Sequence, residues 1–103
     1  GKYKFGFSVI DMQNPYFITL EEAAQQIVEK EECTMLVKDP ASDADTQAEQ
    51  IREMINEGIN AIFLCPVDWE KITPSLQALQ DAGVKIINID SQVQRQGSFV
   101  AMI

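Results

Sequence analysis

Apolar positions along this chain recur with two different periods, and the switches between them mark its elements. Phe5-Gly6-Phe7-Ser8-Val9-Ile10 is a short apolar run whose length and β-branching predict a buried strand. From Pro15 the period becomes helical: Phe17, Leu20, Ala24, Ile27 and Val28 define one face, with Glu21, Glu22, Gln25, Gln26 and Glu29 on the other. Asn14 followed by Pro15 is an N-cap with proline at the first helical position. Thr34 to Val37 predicts a second strand, closed by Asp39-Pro40. Asp43 or Asp45 caps the next helix, whose inward stripe is Ala48, Ile51, Met54 and Ile55, with Gly58 as its left-handed stop. Ala61 to Cys65 is almost wholly apolar and predicts a strand covered on both faces. Thr73-Pro74 opens a third helix with Leu76, Leu79 and Ala82 inward and Gly83 as terminator; Lys85 to Ile89 is a fourth strand, and Ser98 to Ile103 starts a fifth.

The order is βαβαβαβ followed by one more strand, without repeats or low-complexity linkers. Parallel strands need a crossover each, and the crossovers are right-handed helices. The expected fold class is therefore α/β: three layers, a parallel flavodoxin-like sheet, strand order 2-1-3-4-5. The first and third strands then flank a topological switch point, where open α/β sheets bind ligands at the carboxyl ends of their strands. Residues 11–17 and 65–69 face that crevice, with 90–92 close by.

Charge narrows the partners. The net charge is −8 and no cluster of Lys or Arg occurs, so a nucleic-acid backbone or an anionic membrane surface is a poor candidate for a direct partner. No run reaches the roughly 18 apolar residues of a membrane span, and no signal-peptide pattern opens the sequence. Cys33 and Cys65 fall at opposite ends of non-neighbouring strands, which predicts thiols rather than a disulfide. The chain has no histidine, hence no imidazole base, and no CxxC; we expect no catalytic residue, metal or cofactor. Met12-Gln13-Asn14-Pro15 is not the glycine-rich phosphate loop of a nucleotide site, and a receiver domain would end its third strand in aspartate where Cys65-Pro66 stands.

The candidate residues are those at the switch-point edge. Asn14 is a helix cap or a ligand contact, and Phe17 either starts the buried stripe or faces the crevice. Tyr16 lies off the stripe and is the better aromatic contact; Asp90 ends a buried strand, where a carboxylate needs a partner. Gln13, Ser91 and Gln92 share the loops, Asp11 can hold its own loop, and Trp69 rims the crevice or covers a helix end.

Five markers in order carry a family resemblance: Asn14-Pro15-Tyr16-Phe17, Asp43 to Gln47, Gly58 to Ile62, Pro66-Val67-Asp68, and Ala82-Gly83-Val84 through Asp90. With these the chain resembles the amino-terminal lobe of type I periplasmic sugar-binding proteins, the ribose- and galactose-binding group that shares its fold with LacI-type repressor cores. The resemblance implies one α/β lobe over residues 1–103, incomplete without a hinge and second lobe. It implies that Asn14 and Asp90 hydrogen-bond sugar hydroxyls and that Tyr16 and Phe17 pack on the ring; Gln13 and Ser91, in the same loops, are further candidates. Ser91 stands where many such proteins carry arginine, and the usual glycine after the first helix is replaced near Glu32. The function implied is a non-catalytic, extracytoplasmic bacterial solute-binding protein that delivers a mono- or small saccharide to an ABC-type permease. The alternative is the effector-binding core of a LacI-like regulator or a sensor ectodomain. The apolar strand Phe99 to Ile103 is in addition a surface through which the chain by itself can self-associate.

Overall fold

The computed structural model describes residues 3–89. Four parallel strands, β1 (Lys4–Ser8), β2 (Thr34–Lys38), β3 (Ala61–Leu64) and β4 (Lys85–Asn88), alternate with α1 (Pro15–Lys30), α2 (Ala44–Asn56) and α3 (Thr73–Asp81). The sheet order is β2-β1-β3-β4, the first four strands of the expected order. The expected fifth strand, with its self-association surface, lies outside the described residues. Phe5 pairs with Met35 on one side and with Ala61 on the other, so β1 is central and its carboxyl end lies beside that of β3.

The side-chain alternation of the strands divides the core between two faces. Phe7, Val9, Cys65 and Ile89 pack with Phe17 and Ala24 of α1, and partly buried Phe63 joins them. Ile62 and Leu64 point the other way, into a cluster with Ile51 and Met54 of α2 and Ile72, Leu79 and Val84 around α3. One helix thus covers one face and two cover the other. Gly6 permits the close approach on the second face: a Cβ there would lie 2.8 Å from Met54 Sδ and 3.2 Å from Ile59 Cδ1.

The helix ends follow the sequence in most respects. Asn14 caps α1, its side chain accepting from the Tyr16 N–H, and Asp43 caps α2 through Thr46. Gly58 and Gly83 take left-handed backbone (φ 87° and 75°) after α2 and α3, as glycine alone does without strain. Glu32, where a glycine was expected, is also left-handed at φ 60°.

Three expectations are corrected. Ile27 is 64% exposed, because at about 100° per residue it lies about 80° around the helix from Phe17 and falls off the sheet-facing stripe. The third helix is capped by neither Thr73 nor its hydroxyl: the N-cap position is Ile72, which makes no side-chain cap bond and instead fills the core. Its inward residues are Ser75 and Leu79, with Leu76 partly buried, whereas Ala82 is exposed at the C-cap. Cys65 is buried and Cys33 half-buried, and they form no disulfide, as expected.

Candidate functional site

The loop that leaves β1 is fixed from both ends. Asp11 Oδ1 accepts the Gln13 N–H at 2.8 Å, closing an Asx turn, and Asn14 Oδ1 accepts the Tyr16 N–H at 2.9 Å. Asp39, after β2, accepts both Met12 N–H (3.1 Å) and Ala41 N–H (2.9 Å) on one carboxylate oxygen. The Ser42 N–H donates back to the Ile10 carbonyl at 2.9 Å. The loops after β1 and β2 are therefore tied together. This needs Ala41 and Ser42 in successive left-handed conformations, φ 51° and 65°.

The loop that leaves β3 is fixed from α2. Gln47 is 1% exposed and donates from Nε2 to Ser8 Oγ (3.0 Å) and to the Cys65 carbonyl (3.2 Å). Its Oε1 accepts the Val67 N–H at 2.9 Å. Further along, Asp68 Oδ1 accepts from the N–H groups of Glu70 (2.8 Å) and Lys71 (2.9 Å). Those backbone donors, Lys71 first and Glu70 next, hold the Asp68 carboxyl below the usual carboxylate range. Asp43 is lowered in the same way, first by the Thr46 hydroxyl and then by the Thr46 backbone N–H. Between these turns Trp69 is 54% exposed.

The expected residues divide accordingly. Asn14 is exposed at the edge; its Oδ1 serves the helix, and its two amide N–H donors have no acceptor among the described residues. The cap and ligand readings of Asn14 are thus compatible. Gln13 is exposed in the same loop. Tyr16 is half-buried, its ring edge-on to Phe17 with centroids 5.1 Å apart. Phe17 itself is 2% exposed and packs with Phe7, Val9 and Ala24, so its ring goes to the core and supports Tyr16 rather than facing the crevice. Asp90, Ser91 and Gln92 lie outside the described residues.

Gln47 and Asp39 are not among the residues expected at the site. Gln47 carried a signal: positions 47, 51 and 54 share helical spacing, and a glutamine on an otherwise apolar stripe must find buried partners. Among the described residues, no group of three or more His, Cys, Asp or Glu side chains is placed to hold a metal ion. None of the described helices is long and apolar enough to cross a membrane.

A parallel sheet with its fastened loops gathered at the carboxyl ends of β1 and β3 defines a doubly wound α/β lobe, with those ends as its candidate binding edge. The chain belongs to the periplasmic binding protein domain family, whose model matches residues 5–101. It is 22% identical over 94 residues to the ribose import binding protein of Bacillus subtilis (strain 168), covering 91% of this chain and 31% of that protein. It is 30% identical over 90 residues to a D-ribose/D-allose-binding protein of Pseudomonas aeruginosa, covering 82% and 28%. Among solved structures, an ABC transporter solute-binding protein from Mycobacterium smegmatis with bound glycerol superimposes with TM-score 0.80 at 31% identity, over 86% of this chain and 31% of that one. The chain therefore spans about a third or less of the length of these relatives. The fold is that of the type I periplasmic sugar-binding group.

Proposed function

We propose that the full-length protein containing this chain is an extracytoplasmic solute-binding protein for a mono- or small saccharide, working with an ABC-type permease. The observation that carries the reading is the Asn14 edge: an amide whose N–H donors meet no acceptor among the described residues, beside the half-buried Tyr16 ring, on a loop fixed by three side-chain–backbone hydrogen bonds. Amide donors suit sugar hydroxyls, and an aromatic face covers the apolar C–H surface of a sugar ring at small entropic cost. In sequence Asp90 follows the fourth apolar run, and by the family resemblance it is the candidate carboxylate for accepting from two neighbouring hydroxyls, with Gln13 and Ser91 as further candidates. The relatives support the same class, being named for ribose and D-allose. Binding makes and breaks no bond. A sugar that contacts both lobes favours their closed arrangement by its differential affinity, and a permease reads that arrangement.

The test is a thermal-shift panel of pentoses, hexoses and polyols on the full-length protein. A ligand at 100 times its Kd stabilises the native state by about 2.7 kcal/mol, which is readily detected. A shift with one or a few sugars is expected; no shift with any of them would sink the reading for those compounds.

A further inference from the structure

We infer that Gln47 is a positioning residue: it sets the 65–69 loop, and with it Trp69, against the end of β1. Its consequence for ligand rests on the sugar-binding reading above; its geometry does not. Gln47 lies on α2, yet its carboxamide bonds to the Ser8 hydroxyl on β1 and to two backbone groups of the chain that leaves β3. Nε2 donates to Ser8 Oγ on β1 at 3.0 Å and to the Cys65 carbonyl at the end of β3 at 3.2 Å. Oε1 accepts from the Val67 N–H at 2.9 Å. At 1% exposure, water does not compete for these bonds.

The requirement is specific to an amide. Two donors and an acceptor must leave one planar group in different directions, and among uncharged side chains of this length only glutamine offers both. A carboxylate would set an oxygen against the Cys65 carbonyl; a thioether would satisfy neither the carbonyl nor the Val67 N–H. The bonds to the Cys65 carbonyl and the Val67 N–H bracket Pro66, whose ring already fixes its own φ. Together they determine the direction in which the chain leaves β3. Trp69 follows two residues later, more than half exposed, and Asp68 turns the chain immediately around it. α2 is in turn held in place by its Asp43 cap and by the burial of Ile51 and Met54. Gln47 thus transmits the fixed position of a packed helix to an aromatic side chain at the binding edge.

The experiment uses the full-length protein, with Gln47→Met and Gln47→Glu, each with and without Trp69→Ala. Sugar affinity is measured by isothermal titration with the compound that gives the largest thermal shift. Gln47→Met is expected to weaken binding about tenfold or more, Trp69→Ala to weaken it too, and the double variant to be no weaker than the worse single one. Unchanged affinity in Gln47→Met, unchanged affinity in Trp69→Ala, or strictly additive losses would overturn the inference. A second measurement needs neither ligand nor a folded variant: amide hydrogen exchange in the unliganded wild type. The Val67 N–H is expected to be protected to the level of the β3 amides although it lies in a loop; exchange at the rate of an open loop would overturn the inference. If no sugar binds the wild type, the sugar reading fails, while Val67 protection still decides the role of Gln47.

Discussion

Gly6→Ala tests how closely α2 is seated on the sheet. Gly6 lies on the central strand, and a Cβ built there meets Met54 Sδ at 2.8 Å, Ile59 Cδ1 at 3.2 Å and Ile62 Cγ1 at 3.3 Å. The first separation is shorter than real Cβ contacts show, so the thioether must move. Met54 is fully buried between Ile51, Ile59 and Leu64, and its displacement pushes on that cluster. Overpacking of this kind costs about 1–3 kcal/mol. Alanine in a strand also recovers about 0.5–1 kcal/mol, through the smaller conformational freedom of the unfolded chain. The net expectation is a destabilisation of about 1 kcal/mol, read from the urea midpoint of the circular dichroism transition. In a domain of this size that corresponds to a Tm lower by about 4–8 °C. Pairing the change with Met54→Ala supplies a control, because the cavity left by methionine accepts the new methyl group and the two losses must fall short of their sum. A Gly6→Ala protein as stable as the wild type, or strict additivity with Met54→Ala, would refute the close-approach argument.

Other outcomes follow from the same geometry. Glu32→Gly removes a left-handed non-glycine residue and should raise stability by about 0.5–1 kcal/mol in chemical denaturation. Asp43 has its carboxyl pKa lowered by Thr46, so the stability it contributes is complete above the ordinary carboxylate range and is lost as pH falls through the lowered folded value. Asn also caps helices but does not titrate, so Asp43→Asn should show a shallower fall of Tm below about pH 4 than the wild type. Asp39→Ala unties Met12 and Ala41 together and should weaken sugar binding by loosening the Asn14 loop, which titration calorimetry on the full-length protein can measure.

Element order, strand order and the two glycine stops were legible because each rests on local chemistry: a change of hydrophobic period, a cap, or a residue able to take positive φ. Even the left-handed Glu32 could be placed from the missing glycine. Sidedness within a helix was less legible. Ile27 and Ala82 fit the apolar set, but how much of a stripe is covered depends on where the sheet lies beneath it. The start of α3 was misread because Thr73-Pro74 has the composition of a cap, whereas Asp68, upstream, organises the turn that leads into the helix. Placement of the candidate residues at the edge was legible where the structure describes them, their burial less so. Asn14 could be placed in the loop after β1, but Phe17 fits both core and ligand by composition, and only its burial in the cluster with Phe7 and Val9 assigns it to the core. The fastenings made by Gln47 and Asp39 join residues 39 and 20 positions apart for Gln47 and Ser8 or Val67, and 27 apart for Asp39 and Met12, which no local pattern encodes.

Sugar binding at the Asn14 edge is tested by Asn14→Asp in the full-length protein. Aspartate keeps the oxygen that caps α1 and adds a favourable charge at the helix N-terminus, but it lacks the amide N–H donors. Thermal denaturation without ligand and calorimetric titration with the preferred sugar separate the two roles. Unchanged or slightly raised stability is expected, together with an affinity about tenfold or more weaker, the loss of about one hydrogen bond to a hydroxyl. Unchanged stability with unchanged affinity would contradict it and leave Asn14 as a helix cap alone.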